Sequence, residues 1–248
     1  MTGTVYLVPN TLGALDASVD AQAIAAVIPP AVRDIAATLD YYLVENAKTA
    51  RVFLKAVGTR APIQQIEMQV LDKNTPAADL DRLLAPALAG RDIGVLSEAG
   101  CPAIADPGAP LVRLAHAKSL RVRPLVGPSS ILLTVMGSGL SGQSFAFVGY
   151  LPSDPGARTQ RLKELEERSR REQQTQVCIE TPYRNAALLE AMAATLQPGT
   201  DVCVGTDLTL ATESIQTLPA AQWRGRGAAL QKRPTVFALL APPAAARR

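Results

Sequence analysis

The stretch Ile93-Gly-Val-Leu-Ser-Glu-Ala-Gly-Cys-Pro-Ala-Ile-Ala-Asp-Pro-Gly108 joins a short apolar run to a loop of Gly, Ala and Pro. The residues beyond it carry Ala and Leu at three- to four-residue spacing. A run of that length bounded by turn formers predicts a buried strand, and the spacing beyond it a helix. Similar strand-like runs stand at Thr4–Val8, Tyr41–Val44, Ile66–Val70 and Val122–Val126, each separated from the next by a helical pattern. Strand and helix in strict alternation predict a parallel sheet covered by helices on both faces.

Past this region the pattern changes. A helix is expected near Ser129–Met136, then strands at Phe145–Tyr150, Gln176–Glu180, Val202–Thr206, Glu213–Thr217 and Thr235–Leu240, with two Arg/Glu-rich helices between the earlier ones. The 248 residues, 48% hydrophobic and 19% charged, suffice for two α/β domains. The expected division is 1–124, with the parallel sheet, and 125–248, with a mixed sheet ending in a hairpin-like element. From Pro124 to Ser153 no residue is charged, yet Gly127, Pro128, Gly137, Gly139, Gly142 and Pro152 interrupt the stretch, so no membrane-spanning run exists. The N-terminus has neither a basic segment nor a long apolar one, so no secretory signal is expected and the protein is placed in the cytoplasm.

Several chemistries are excluded. Gly137-Ser-Gly-Leu-Ser-Gly142 has dinucleotide-fingerprint spacing but follows a helix and precedes a strand, the reverse of what that fingerprint requires. There is no Gly-Lys-Ser/Thr phosphate loop. With His116 the single histidine and no carboxylate cluster along the chain, neither a histidine-based metal site nor a hydrolase triad is expected. Cys101, Cys178 and Cys203 lack metal spacing and read as reduced thiols. The net charge is only +3, but no acid follows Glu213, whereas Arg224, Arg226, Lys232, Arg233, Arg247 and Arg248 do. That stretch is either a solvated face or a surface for phosphates.

Ligands of open α/β sheets bind outside the carboxyl ends of the strands. Those ends lead here into Pro9-Asn10, Ser97–Gly108, Gly127–Ser130 and Glu180–Arg184. Pro107, Pro128 and Pro182 stand where a first helical residue is expected, after Asp106, Gly127 and Thr181 as N-caps. The freed amides of such helix starts suit an anion. A connection as long as Ser97–Gly108 is uncommon without a role.

That loop resembles the Ser-Asp-Ala-Gly-Thr-Pro-Gly-Ile-Ser-Asp-Pro-Gly signature of the tetrapyrrole-methylase-like superfamily of S-adenosylmethionine-dependent methyltransferases. Within it, the likeness is nearest to the bacterial group that methylates a cytidine ribose 2′-oxygen of small-subunit ribosomal RNA. The resemblance continues through Gly3-Thr-Val-Tyr-Leu-Val-Pro9, Gly127-Pro-Ser-Ser130, Phe147-Val-Gly-Tyr-Leu-Pro152, Glu180-Thr-Pro-Tyr-Arg184, and Asp207-Leu-Thr209 with Glu213. The chain departs from the RNA-modifying group in several places. It has Asn10-Thr-Leu-Gly-Ala-Leu15 for Thr-Pro-Ile-Gly-Asn-Leu and Glu45-Asn-Ala-Lys48 for Glu-Asp-Thr-Arg. Cys101 stands for Thr and Tyr183 for His.

The resemblance implies S-adenosylmethionine in a cleft between the domains and a homodimer acting on ribosomal RNA or the small subunit. Cofactor contacts are expected from Pro9; from Ser97, Glu98, Ala99, Gly100, Cys101, Ile104 and Ala105; and from Ser129 and Ser130. Thr181, Tyr183, Thr206, Asp207, Leu208 and Pro234 complete the set, the last group on resemblance alone. No metal is required. Removing the proton of a ribose hydroxyl calls for a base and a cation, with Glu45, Lys48, Arg51, Glu180 and Arg184 as candidates. Lys48 and Arg51 also read as a plain helix face, and Glu180 with Arg184 as an ion pair. Two other functions stay open: methylation of a tetrapyrrole or other small planar metabolite, and a catalytically silent cofactor-binding module. A large apolar cleft with few cations would mark the metabolite enzyme, a basic rim with flanking grooves the RNA enzyme.

Overall fold

The computed structural model describes residues 1–13 and 21–243. Ala14, Leu15, Arg247 and Arg248 lie outside them. The chain divides into two compact units, Met1–Ser129 and Ser130–Arg248.

The first unit holds a five-stranded sheet of β1 (Thr4–Val8), β2 (Tyr41–Val44), β3 (Glu67–Val70), β4 (Ile93–Leu96) and β5 (Arg121–Pro124). Every pair is parallel and the order is β3-β2-β4-β1-β5. The sequence explains the order. Tyr41–Val44 and Ile93–Leu96 are buried at every residue and sit inside, whereas Glu-Met-Gln-Val and Arg-Val-Arg-Pro are largely exposed and form the two edges. Charge and proline at an edge also discourage pairing with another chain.

Helices α1 (Ala21–Val27), α2 (Pro30–Thr38) and α3 (Ala47–Val57) cover one face, α4 (Leu80–Leu88) and α5 (Ala109–Ala117) the other. The two-residue period of the strands feeds both cores. Val8, Tyr42, Val44 and Leu96 meet Ile24, Ile28, Phe53 and Leu54, while Val5, Leu43, Ile93 and Val95 meet Leu83, Leu84, Leu111 and Ala115.

The second unit comprises α6 (Ser130–Ser138), β6 (Phe145–Tyr150), α7 (Pro155–Glu172), β7 (Thr175–Ile179), α8 (Asn185–Thr195), β8 (Asp201–Thr206), β9 (Ser214–Pro219) and β10 (Thr235–Leu240). Its sheet order is β6-β7-β10-β8-β9, with β6 and β7 parallel and the other neighbours antiparallel. β8 and β9 form a hairpin. The chain does not end hairpin-like, however, because β10 inserts between β7 and β8. Its run Thr-Val-Phe-Ala-Leu-Leu is buried almost throughout, the composition of a central strand. α6 packs on one face through Ile131 and Val135. α7, α8 and the 3-10 turns around Trp223 and Leu230 pack on the other. Among the described residues no helix is long and apolar enough to cross a membrane.

Three expected helix starts are corrected. α5 begins two residues after Pro107, behind Gly108 as N-cap; α6 begins at Ser130, after Pro128; and α8 begins at Asn185, behind Arg184. Neither Asp106 nor Thr181 caps a helix. A proline does occupy the first turn of α5, but it is Pro110. Strand β5 also closes at Pro124, two residues before the expected end.

Candidate active site

In the first unit, the carboxyl ends of β1, β4 and β5 bring together Pro9, the loop Ser97–Ala105 and Ser129. Asn10, to which the sequence alone assigns no role, is the staple. Fully buried, it donates through Nδ2 to Ser97 O at 2.9 Å and through its backbone N–H to Gly100 O at 2.8 Å, while Gly100 N–H donates to Thr11 O. Cys101 Sγ lies 3.4 Å from Pro128 O, tying the same loop to the segment after β5. Gly100, Ala103 and Ala105 all have φ of 65°. For the two alanines this left-handed backbone is strained, as is common where a loop is shaped for a ligand.

The fold assembles what the linear sequence hid, a cluster of carboxylates. Glu45 Oε2 accepts from Glu98 N–H at 2.9 Å, and Glu98 Oε1 accepts from Thr49 Oγ1 at 3.2 Å. Asp106 is pushed up to about 7 by burial first, then by repulsion from Glu45. Burial likewise raises Glu45, with Glu98 and Asp72 adding repulsion. No ion pair relieves these three groups among the described residues, and none of the described acids, cysteines and histidine form a metal-type cluster. Burial, then Asp106, raises Cys101, which keeps its thiol protonated and out of nucleophilic chemistry.

The Asp106 shift has a measurable sign. An acid held at about 7 when folded, against its ordinary 3.8, is destabilising once ionised. Stability contributed by Asp106 therefore falls as pH rises from about 4 to about 7 and is level above. Asp106→Asn should gain on the parent across that window and keep the gain at pH 8. Discounted for partial exposure, the gain is about 1–2 kcal/mol, or roughly 3–6 °C in Tm. Melting curves from pH 4 to 9 decide it: a difference that does not change with pH would mean that Asp106 does not titrate in this window.

α3 starts directly behind Glu45. Asn46, one of the departures from the resembled pattern, caps it, its Oδ1 accepting from Lys48 N–H at 2.9 Å. Lys48 and Arg51 are exposed one turn apart and make no ion pair among the described residues. Beside the long loop, a cavity of about 520 Å³ is lined by Leu7, Ile104, Val112 and Leu125, with Arg113 and His116. His116 is exposed on α5.

In the second unit, antiparallel insertion of β10 puts its first residues at the carboxyl ends of β7 and β8. This gathers Glu180, Thr181, Thr206, Asp207 and Pro234: Asp207 N–H donates to Pro234 O at 3.0 Å, and Asn185 Nδ2 to Arg233 O at 2.6 Å. Arg233, not expected as a site residue, donates to Asp207 Oδ2 and Thr212 O, and Glu213 accepts from Thr209 N–H at 2.7 Å. The Asp207-Leu-Thr209 to Glu213 motif is thus a turn held by its own side chains, with positive φ at Asp207 and Thr209. Leu208 is buried behind it, and Tyr183 is 79% exposed.

Glu180 and Arg184 form an ion pair. Oε1 accepts from Arg184 Nη2 at 2.6 Å and Nε at 3.0 Å, and from Thr181 N–H. Glu180 Oε2 and Asn185 Oδ1 are buried and have no hydrogen-bond partner among the described residues.

The first unit's features suit S-adenosylmethionine: its sulfonium and ammonium are cations for unrelieved carboxylates, and Gly127 presses bare backbone against Pro9, where a Cβ would lie 2.2 Å from the ring. The second unit, taken by itself, offers orphaned acceptors that hydroxyl or amino donors would satisfy.

Known structures share the fold. The methyltransferase CobJ aligns with a TM-score of 0.63 at 17% identity, covering 100% of this chain and 97% of that one. Uroporphyrin-III-C-methyltransferase from Thermus thermophilus aligns with a TM-score of 0.56 at 16% identity, over 96% and 94%. Fold and sequence profile together define an S-adenosylmethionine-dependent methyltransferase. The sequence profile of the Tetrapyrrole (Corrin/Porphyrin) Methylases matches residues 11–223, and the chain belongs to that family. Among its relatives is the protein named Ribosomal RNA small subunit methyltransferase I from Vibrio cholerae, 30% identical over 88% of this chain and 69% of that protein. The one of that name from Xylella fastidiosa is 29% identical over 86% and 71%.

Proposed function

We propose that this methyltransferase acts on the 2′-hydroxyl of a ribose in small-subunit ribosomal RNA. The observation that carries the reading is the match of these two relatives along nearly the whole chain. The same resemblance supports work as a homodimer in the cytoplasm. Both groups of loop residues, one in each unit, are assigned to the cofactor.

Bound S-adenosylmethionine supplies an electrophilic methyl group whose positive charge disperses as it leaves sulfur. The chain's residues must then hold the hydroxyl in line, keep water out and take one proton. Glu45 is the base: burial and like charge raise its proton affinity, so it accepts the proton more readily than a solvated carboxylate. Lys48 and Arg51, exposed on the next turn, steady the alkoxide or its flanking phosphate. The products are the 2′-O-methyl ribose, S-adenosylhomocysteine and protonated Glu45. Glu180 and Arg184 shape the cofactor side, since their charges already neutralise each other.

Labelled methyl transfer to small ribosomal subunits lacking the modification tests this. Lys48→Ala and Arg51→Ala should each lower transfer about tenfold, leaving cofactor affinity and Tm unchanged. If label never enters RNA, the substrate assignment is wrong. The apolar cavity beside Ile104 favours a second reading, methylation of a small planar metabolite, in which case the label enters a small-molecule fraction instead.

A further inference from the structure

The basic stretch after Glu213 has a shape. Between the 3-10 turns (Ala220–Trp223 and Gly227–Leu230) and the outer part of the β8–β9 hairpin runs a groove of about 480 Å³. Thr206, Ser214 and Gln216 give it polar groups, Trp223 an apolar wall, and Arg226 and Arg233 its charge; no carboxylate lines it among the described residues. The cations are unequally spent. Arg233 is committed to Asp207, Thr212 and Ala229. Arg226 lies over the Trp223 ring at 6.0 Å and forms no ion pair among the described residues, nor do exposed Arg224 and Lys232. The nearby acid Glu190 accepts from the amides of Gly225 and Gly227 on either side of Arg226 and is not paired with it. Trp223 is itself fixed, its Nε1 donating to Val202 O at 2.9 Å. The guanidinium of Arg226 is thereby positioned by a rigid ring while keeping its charge free of any described carboxylate.

The other arginine-rich element looks different. On α7, Arg161, Arg168, Arg170 and Arg171 are all paired with Glu164, Glu167 or Glu172, and Glu166 is buried, accepting from Gln197 N–H. Four of the six cations of that helix are thus spent on neighbouring acids, which leaves Arg158 and Lys163 without an ion pair among the described residues.

We infer that the groove between the Trp223–Leu230 turns and the β8–β9 hairpin binds the sugar-phosphate backbone of single-stranded RNA. Arg226 meets the phosphates, exposed Arg224 two residues before it adds charge, and Ser214 and Gln216 meet the sugar hydroxyls. The groove ends at Thr206 and Arg233, beside Asp207 and Pro234, so a strand lying in it reaches the residues assigned to the cofactor. The inference rests on the RNA reading above and names the surface that serves it.

The test is fluorescence anisotropy of a labelled oligoribonucleotide of roughly a dozen nucleotides across a salt series, with the full chain. Arg224→Gln with Arg226→Gln should weaken binding about tenfold at low salt and lower the slope of log affinity against log salt by about 1 to 1.5. Arg168→Gln on α7 should change neither, and S-adenosylmethionine affinity should be unchanged in both variants. If the parent binds and methylates RNA but the double variant matches it in affinity and slope, the groove is not the path and the substrate reading stands. If the parent neither binds this RNA nor methylates small subunits, the substrate reading falls and the inference with it. Equal losses in the α7 control would reduce the effect to net charge and overturn the groove.

Discussion

Gly127→Ala should abolish tight cofactor binding while leaving a folded protein. A Cβ at this position would lie 2.2 Å from Pro9 Cβ and 2.4 Å from its Cγ, with Ile28 Cδ1 at 3.7 Å behind. The proline ring has no alternative rotamer to turn into, so backbone must move. The movement cannot stay local. Pro9 precedes Asn10, whose amide and side chain hold Gly100 and Ser97, and Pro128 O is held from the other side by Cys101. Three loops at the carboxyl ends of β1, β4 and β5 therefore shift together. Overpacking of this kind costs about 1–3 kcal/mol, or roughly 3–9 °C in Tm. Displacing binding loops by about 1 Å costs about 100-fold in function. Calorimetric titration with S-adenosylmethionine and S-adenosylhomocysteine reads the second effect separately from the first. Parent-like affinity in a variant with lowered Tm would remove these loops from the cofactor site.

The two kinds of site information were unequally visible in the sequence. The alternation of apolar runs places all five parallel strands, and the Gly- and Pro-rich ends of β1, β4 and β5 mark loops that the fold brings together, because both signals are local. The carboxylate cluster was not local. Glu45 and Glu98 meet across 53 positions, joined only when β2 pairs with β4. Asp106 read as a helix cap because Pro follows it, but the helix waits for Gly108, whose φ of 133° closes the loop, and for Pro110. X-Pro marks turns as readily as helix starts, and only the tertiary length of the loop distinguishes them.

The centre of the second sheet was equally hidden. β10 follows the hairpin in the chain, so sequence order suggested a hairpin-like end. Its unbroken apolar run carried the contrary signal, since a strand at an edge exposes one side. That insertion carries Pro234 to Asp207 and Arg233 to Asn185, and with it the physical meaning of the motif around Asp207. Asn10 and Arg233 went unassigned for a related reason. Each hydrogen-bonds to loops distant in sequence, and a polar residue next to a strand end does not disclose which loops will close over it.

The Glu180–Arg184 pair separates a structural from a catalytic role by an asymmetry of burial. The Glu180 side chain is 0% exposed and that of Arg184 39%. Removing the arginine strands a carboxylate away from water, which costs about 3–5 kcal/mol, whereas removing the acid leaves a guanidinium that still reaches solvent. Arg184→Met should therefore destabilise by at least about 3 kcal/mol, and Glu180→Gln by about 1. Glu180→Leu combined with Arg184→Met should recover most of the loss, because an apolar pair replaces a broken ionic one. Urea unfolding near pH 7.5 measures all three, and if the two units unfold separately the change belongs to the second transition. Glu180 Oε2 adds a further expectation. As a buried acceptor with no partner among the described residues, it should be protected by a ligand that donates to it, so cofactor should stabilise the parent more than Glu180→Gln. A different pattern, Arg184→Met nearly as stable as the parent but unable to transfer methyl groups, would place Arg184 on the substrate and make the ion pair incidental.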